Sequence, residues 1–258
     1  MTWETISLDV DEDGVATLTI DRPEKLNSLN VTTLEAIREA LTEAEEADAR
    51  VLVLTGAGEE AFIAGADISY MKDLSTPEAQ AYAELGHEVA DRLEQFPAPV
   101  IAAVNGYAFG GGCELALACD LRVASENALI GQTEIDLGIV PGWGGSQRLS
   151  RLVGDETARR LIFFGDRIDA TDANEIGLVG EVVAHDQIDD HVAELAAELA
   201  AKPRFALSTA KEALNIVHEE PQQAGLAFER RAWSGLFGTH DQREGMEAFV
   251  EDREADFE

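Results

Sequence analysis

Apolar positions along this chain keep two periods. Through the first two-thirds, short runs of strand type alternate with stretches of helical spacing. Thr5 to Val10 and Val15 to Ile20 are β-prone and joined by Asp11-Glu12-Asp13-Gly14, a hairpin signal. Arg22-Pro23 ends the second strand. Leu34, Ile37, Leu41 and Ala44 share one helical face behind a cap at Thr32 or Thr33. Val51-Leu52-Val53-Leu54 reads as a buried strand, followed by a long loop from Gly56 to Asp67. Ser75-Thr76-Pro77-Glu78 opens a helix that runs towards Phe96 and stops before Pro97 and Pro99. A second buried strand, Val100 to Val104, leads into a glycine-rich loop, an apolar helix from Gly112 to Cys119 and a strand from Leu121 to Ala124.

Strands alternating with helices imply an α/β architecture with the strands covered on their outer side. The loops after Leu54 and Val104 both follow apolar strands, which lets them open on a common edge. After about residue 185 the β signal vanishes. Helical patterns then occupy Gln187 to Ala201, Phe205 to Val217, Gln222 to Phe237 and Arg243 to Asp256. The expected division is a core over residues 1–185 and a helical assembly region over 186–258.

Composition narrows the class. At 258 residues and 45% apolar content the chain can bury a full core, in one large domain or two small ones. The longest apolar runs, such as Val100 to Val104, are too short to cross a bilayer, and Met1-Thr2-Trp3-Glu4 lacks the features of a signal peptide. A cytoplasmic protein is expected. The 19 basic and 51 acidic residues leave a net charge of −32, so no basic stripe exists to bind nucleic acid. Only Lys25, Lys72, Lys202 and Lys211 are lysines. Such a surface repels itself in dilute buffer, whereas at about 1 M salt the Debye length falls to roughly 3 Å. A salt-loaded cytoplasm is the economical explanation; an acidic protein from an ordinary cytoplasm is the plainer alternative. Cys113 and Cys119 are six positions apart, on different faces of any shared helix, and are expected to be free and buried.

Candidate chemistry concentrates in the middle of the chain. Glu114 closes Asn105-Gly106-Tyr107-Ala108-Phe109-Gly110-Gly111-Gly112-Cys113-Glu114, and Glu134 closes Gly131-Gln132-Thr133-Glu134. Paired carboxylates beside glycine-bearing backbone point to acid–base work on a group that needs oxyanion stabilisation. The glycines fit neither G-x-G-x-x-G nor a P-loop. Their structural alternative is tight helix–strand packing. Their functional reading opens the buried helix at Gly111, with an exposed N–H and the helix dipole behind it. No G-x-S-x-G elbow occurs, and the five histidines are scattered outside any metal-binding pattern. A glutamate inside Gly-Gly-Cys-Glu-Leu-Ala-Leu-Ala is costly unless paired or used.

From near Ile20 to its end the chain resembles the crotonase, or enoyl-CoA hydratase/isomerase, superfamily. The resemblance rests on Arg22-Pro23-Glu24-Lys25-Leu26-Asn27-Ser28-Leu29-Asn30, on Ala61-Phe62-Ile63-Ala64-Gly65-Ala66-Asp67-Ile68, and on Val104 to Ala116. It continues through Pro141-Gly142-Trp143-Gly144-Gly145-Ser146-Gln147-Arg148-Leu149 and Arg243-Glu244-Gly245-Met246-Glu247-Ala248-Phe249. It implies a crotonase-like spiral of ββα turns, then helices that form a trimer, commonly a hexamer of two trimers. It assigns the amides of Ala66 and Gly111 to the thioester oxygen. Glu114 and Glu134 would hold one water that adds across the C2=C3 bond of a 2-enoyl-CoA. Lys25, Leu26, Ala64, Asp67, Ile68, Gly110, Pro141, Gly142 and Trp143 fall on segments around the coenzyme A and acyl groups. Trp143 is expected at the acyl end. Phe249 matches an aromatic that reaches a neighbour's ligand. No metal or separate cofactor is implied, because coenzyme A arrives with the substrate.

The chain departs from the pattern at Ser69 and Asp252, where relatives often carry lysine, leaving Arg253 or bound cations to meet the 3′-phosphate. Membership alone does not name the reaction. An enoyl-CoA isomerase, another acyl-CoA lyase, an RNA-binding member and an inactive assembly subunit are the rivals. The intact glutamate pair favours the hydratase, and the acidic helix from Thr33 to Ala49 argues against RNA.

Overall fold

A strand whose residues are all apolar must be covered on both faces, and the chain supplies both covers. The structure is a computed structural model describing residues 3–218 and 220–258; Met1 and Thr2, which begin the N-terminal stretch read above, lie outside the described residues. The first strands are β1 (Ile6–Val10) and β2 (Val15–Ile20), paired as the expected hairpin. Helix α1 (Val31–Glu46) follows, then β3 (Val51–Gly56), β4 (Ala61–Ile63), the short α2 (Ile68–Met71) and α3 (Thr76–Glu94). Next come β5 (Val100–Val104), β6 (Tyr107–Phe109), α4 (Gly111–Ala118), β7 (Leu121–Ser125) and β8 (Leu129–Gly131). The remainder is α5 (Gly145–Val153), α6 (Asp155–Phe164), β9 (Arg167–Asp169), α7 (Ala170–Glu175), β10 (Glu181–Val183), α8 (Ile188–Ala200), α9 (Arg204–Asn215), α10 (Gln222–Leu236) and α11 (His240–Glu251).

Successive strands alternate between two sheets. One runs β1-β2-β3-β5-β7-β10 and the other β4-β6-β8-β9. Each of β3, β5 and β7 thus hands the chain to a short strand of the second sheet, and a helix follows the first two such pairs. Pairing is parallel from β2 to β10 in the first sheet and from β4 to β8 in the second. This is the spiral of ββα turns. Side-chain alternation splits the core in two. Leu52, Leu54, Ala102 and Val104 face the main core, while Val51, Val53, Ile101 and Ala103 pack with Val123 beneath Ile188, Val192 and Ala196 of α8. Each buried valine, leucine or isoleucine among them contributes about 1.5–3 kcal/mol.

Three local expectations change. Asn30, not Thr32 or Thr33, caps α1: its Oδ1 accepts from the Thr33 amide at 2.9 Å, because the helix already begins at Val31. The stretch from Gly56 to Asp67 is not all loop, since Ala61–Ile63 pairs with Tyr107–Phe109 in the second sheet. Cys119 lies just past α4 in extended backbone; both cysteines are free and buried.

The C-terminal helices begin and end within a few residues of the periodicity, α11 starting earlier at His240 and ending at Glu251. Lys211 on α9 is buried, with Nζ 2.7 Å from Asp120 Oδ2 and within bonding distance of the Leu93 and Ala98 carbonyls. No helix among the described residues is long and apolar enough to cross a membrane.

Candidate active site

Two short backbone stretches meet where the second sheet gives way to α4. Leu29 bridges Ala66 in parallel fashion: its amide donates to the Gly65 carbonyl at 2.8 Å, and its carbonyl accepts from Asp67 at 2.7 Å. In extended backbone successive amides point in opposite directions, so the Ala66 N–H faces away from Leu29. Gly111 is the first residue of α4, and its N–H has no carbonyl within the helix to meet. A methyl group on Gly65 would lie 2.9 Å from the Phe109 carbonyl and 3.8 Å from the Gly111 nitrogen, so the two stretches run side by side. Gly110 makes the entry to α4 at φ +49, and a methyl group there would sit 3.0 Å from Glu134 Oε1. The positive φ calls for glycine, and any side chain there would press on the Glu134 carboxylate.

These elements wall a cavity of about 350 Å³. Ala64, Ala66, Ile68, Gly110, Gly111, Glu114, Glu134, Gly142 and Trp143 all line it. Glu114 sits on the first turn of α4 and is 2% exposed. Its Oε1 accepts from the amides of Trp143 at 2.7 Å and Gly145 at 2.8 Å, which leaves Oε2 as the oxygen able to exchange a proton. Burial pushes its carboxyl above the usual carboxylate range, opposed by the Gly145 and Trp143 amides. Glu134 opens a 3-10 turn, Glu134–Leu137, and is 8% exposed. Burial, and then the charge of Glu114, raise it to about 7. A carboxyl half-protonated near neutrality beside a second one tied to two N–H groups is a donor–acceptor pair.

The remaining assigned residues lie outside the cavity lining. Lys25 is exposed on the turn Pro23–Lys25, and Leu26 is half-buried with its carbonyl bonded to the Ala64 amide at 3.0 Å. The Asp67 carboxylate caps α2 through the Ser69 and Tyr70 amides and pairs with Arg22 at 3.2 Å, so it shapes the loop. Pro141 flanks the lining, and Phe249 stands on α11, 86% exposed. Ser69 is exposed and Asp252 follows α11 in left-handed backbone. Arg253 stands at the surface, paired with Glu244 through both terminal nitrogens and with Glu251 at 2.8 Å. Trp143 is 4% exposed, edge-on to Tyr82 at 5.4 Å. It is both core packing and cavity wall.

Sequence reasoning missed two residues here. Gln132 is buried two positions before Glu134; with its amide nitrogen turned towards that carboxylate it donates to both oxygens at 3.2 Å. The glycine-bearing turn marked the place but not the partner. Tyr82 also lines the cavity and donates to the Leu29 carbonyl at 2.6 Å. Its signal was helical spacing with Gly86 and Val89, which core packing explains equally well.

Comparison with known proteins meets this geometry from outside. A profile of the enoyl-CoA hydratase/isomerase family matches residues 11–258. The chain belongs to that family. A short-chain-enoyl-CoA hydratase of Clostridium acetobutylicum is 46% identical over 94% of this chain and 93% of its own length. A crotonyl-CoA hydratase of Syntrophomonas wolfei is 43% identical over 100% of this chain and 99% of its own. Among solved structures, an enoyl-CoA hydratase from Bacillus anthracis superposes with a TM-score of 0.95 at 40% identity, covering 98% of this chain and 99% of that one. In this enoyl-CoA hydratase/isomerase fold, both carboxylates and the opening amide of α4 share one cavity.

Proposed function

We propose that the protein is an enoyl-CoA hydratase, adding water reversibly to the C2=C3 double bond of a 2-trans-enoyl-CoA to give the 3-hydroxyacyl-CoA. One observation carries the reading: Glu114, Glu134 and the first amide of α4 line a single cavity. The Ala66 and Gly111 amides donate to the thioester oxygen, which makes C3 electrophilic and stabilises the enolate as it forms. Water lies between the carboxylates. Its oxygen bonds to C3 while Glu114 Oε2 takes one of its protons. The C2=C3 pair moves into the enolate, and protonated Glu134 gives its proton to C2. Transfer of the proton from Glu114 to Glu134 restores the starting state, so one water is consumed and no other reactant is needed.

The relatives named for short-chain and crotonyl substrates support acyl groups of about that size. We further propose a cytoplasmic homo-oligomer, trimer or hexamer, held together through the C-terminal helices and adapted to high salt. Glu114→Gln and Glu134→Gln test the chemistry. Each is expected to lower hydration of crotonyl-CoA by at least about 10³-fold, with the double variant little worse than either, because the pair acts as one unit. Near-native turnover by either single variant sinks the reading. Retained 3-ene to 2-ene isomerisation without Glu114 would favour an isomerase.

A further inference from the structure

Arg148 belongs to a motif that marks the family, yet nothing above gives it a task. It lies on α5 with its side chain 15% exposed. Its Nη1 donates to the Trp143 carbonyl at 3.0 Å. Its Nε and Nη2 reach Glu94 Oε2 at 2.9 and 2.6 Å, and Nη2 also reaches Asp91 Oδ1 at 2.8 Å. The guanidinium is therefore fixed to α3 on one side and to a single backbone carbonyl on the other.

The position of that carbonyl is what matters. The two amides that hold Glu114 Oε1 belong to Trp143 and Gly145, and the Trp143 carbonyl lies on the peptide plane between them. A plane held from both neighbours by a carboxylate, and from its own oxygen by a guanidinium, has no free rotation left. Gly144 completes the device at φ +102, and a methyl group there would collide with Arg148 Nη1. The arginine packs directly on the turn it bonds.

We propose that Arg148 is a positioning residue: it locks the turn from Gly142 to Gly145 against Glu114 Oε1 and so fixes Glu114 Oε2 towards the cavity. Lysine cannot replace it, because one ammonium lacks the planar fork that bonds Glu94 and the Trp143 carbonyl together. A plain α3–α5 cross-link would instead act on stability alone. The inference rests on the hydratase reading of Glu114.

The test measures kcat and KM for crotonyl-CoA hydration, with unfolding midpoints, in Arg148→Lys and Arg148→Gln. Arg148→Gln is also measured in a Glu114→Gln background. Misplacing Glu114 is expected to lower kcat by about 10- to 100-fold while KM stays within about twofold. In the Glu114→Gln background the same change should cost no more than about twofold, because the group it positions is already gone. A folded variant with wild-type kcat, or a loss that multiplies in full with Glu114→Gln, overturns the proposal. If Arg148→Gln does not fold, Arg148→Lys and Glu94→Gln are judged by the same two criteria. Full activity in Glu114→Gln alone would instead defeat the hydratase reading.

Discussion

All eight residues of α4 are buried, whereas α10 buries none of its fifteen. Both are helices of one chain, and the difference lies in what surrounds them. The spiral encloses α4 with its own sheets and helices, so Gly111 and Glu114 are held without outside help. On α10 and α11, Trp233 is 65% exposed and Phe249 and Val250 more so, although the surface is otherwise dominated by carboxylates. Large apolar side chains this exposed on so acidic a protein are unusual, and Trp233 lies against Phe237 at 4.6 Å between ring centroids. The spiral buries its own catalytic carboxylates, whereas the helical region leaves large apolar side chains in the open, which supports the proposed oligomer.

Lys211 is the most buried ion-pair link between the two regions, and removing it should have the largest effect on stability. Lys211→Ala takes from partly buried Asp120 its directly bonded cation, and from the Leu93 and Ala98 carbonyls their donor. Breaking such a pair from one side costs about 3 kcal/mol or more. Thermal unfolding in molar salt should show that loss, with α9 separating before the core. A change below about 1 kcal/mol would mean that apolar packing alone fastens the helices.

How much of this contrast could be read in advance depended on the length of each signal. Val51–Leu54 and Val100–Val104 are long enough for an unbroken apolar run to declare a buried strand, and the four terminal helices each carry several turns of period. The strands β4, β6, β8 and β9 have three residues apiece, too few for any period, and their pairing is set by tertiary contact. In the site, glycine-rich turns pointed to Glu114 and Glu134. The amides that hold Glu114 lie 29 and 31 residues away and are backbone groups, as is the carbonyl that Arg148 grips. No side-chain pattern can announce a partner that every residue type possesses.

A smaller effect, confined to the enclosed region, comes from Glu134. Its carboxyl is raised from 4.5 to about 7, so between those pH values the folded state holds a proton that the unfolded chain releases. The sign follows: this stabilising contribution is full below about pH 4.5 and lost as pH rises through about 7. Glu134→Gln removes the buried anion. Relative to the native chain it should gain on the order of 3 kcal/mol above pH 8, at about 1.4 kcal/mol per pH unit, and nothing near pH 4. Unfolding midpoints across that range check it. A difference that does not vary with pH would mean that the site relaxes around the charge.

The smallest effect on the chain's own fold, and the sharpest on the exposed region, should come from Phe249→Ser. A side chain 86% exposed contributes within about 0.5 kcal/mol to the isolated chain. If the helical face is covered by a second copy, the same side chain is buried there, and losing it weakens assembly. Salt decides the balance, because subunits of charge −32 repel one another unless screened. Light scattering and hydration rate should fall together as salt is diluted from about 3 M to about 0.1 M, where the Debye length grows to about 10 Å. Phe249→Ser should move that transition to higher salt while leaving the thermal unfolding of the dissociated chain unchanged. An intact, fully active oligomer at the dilute end would show that apolar contact outweighs the charge, and that the acidic surface is not an adaptation to high salt.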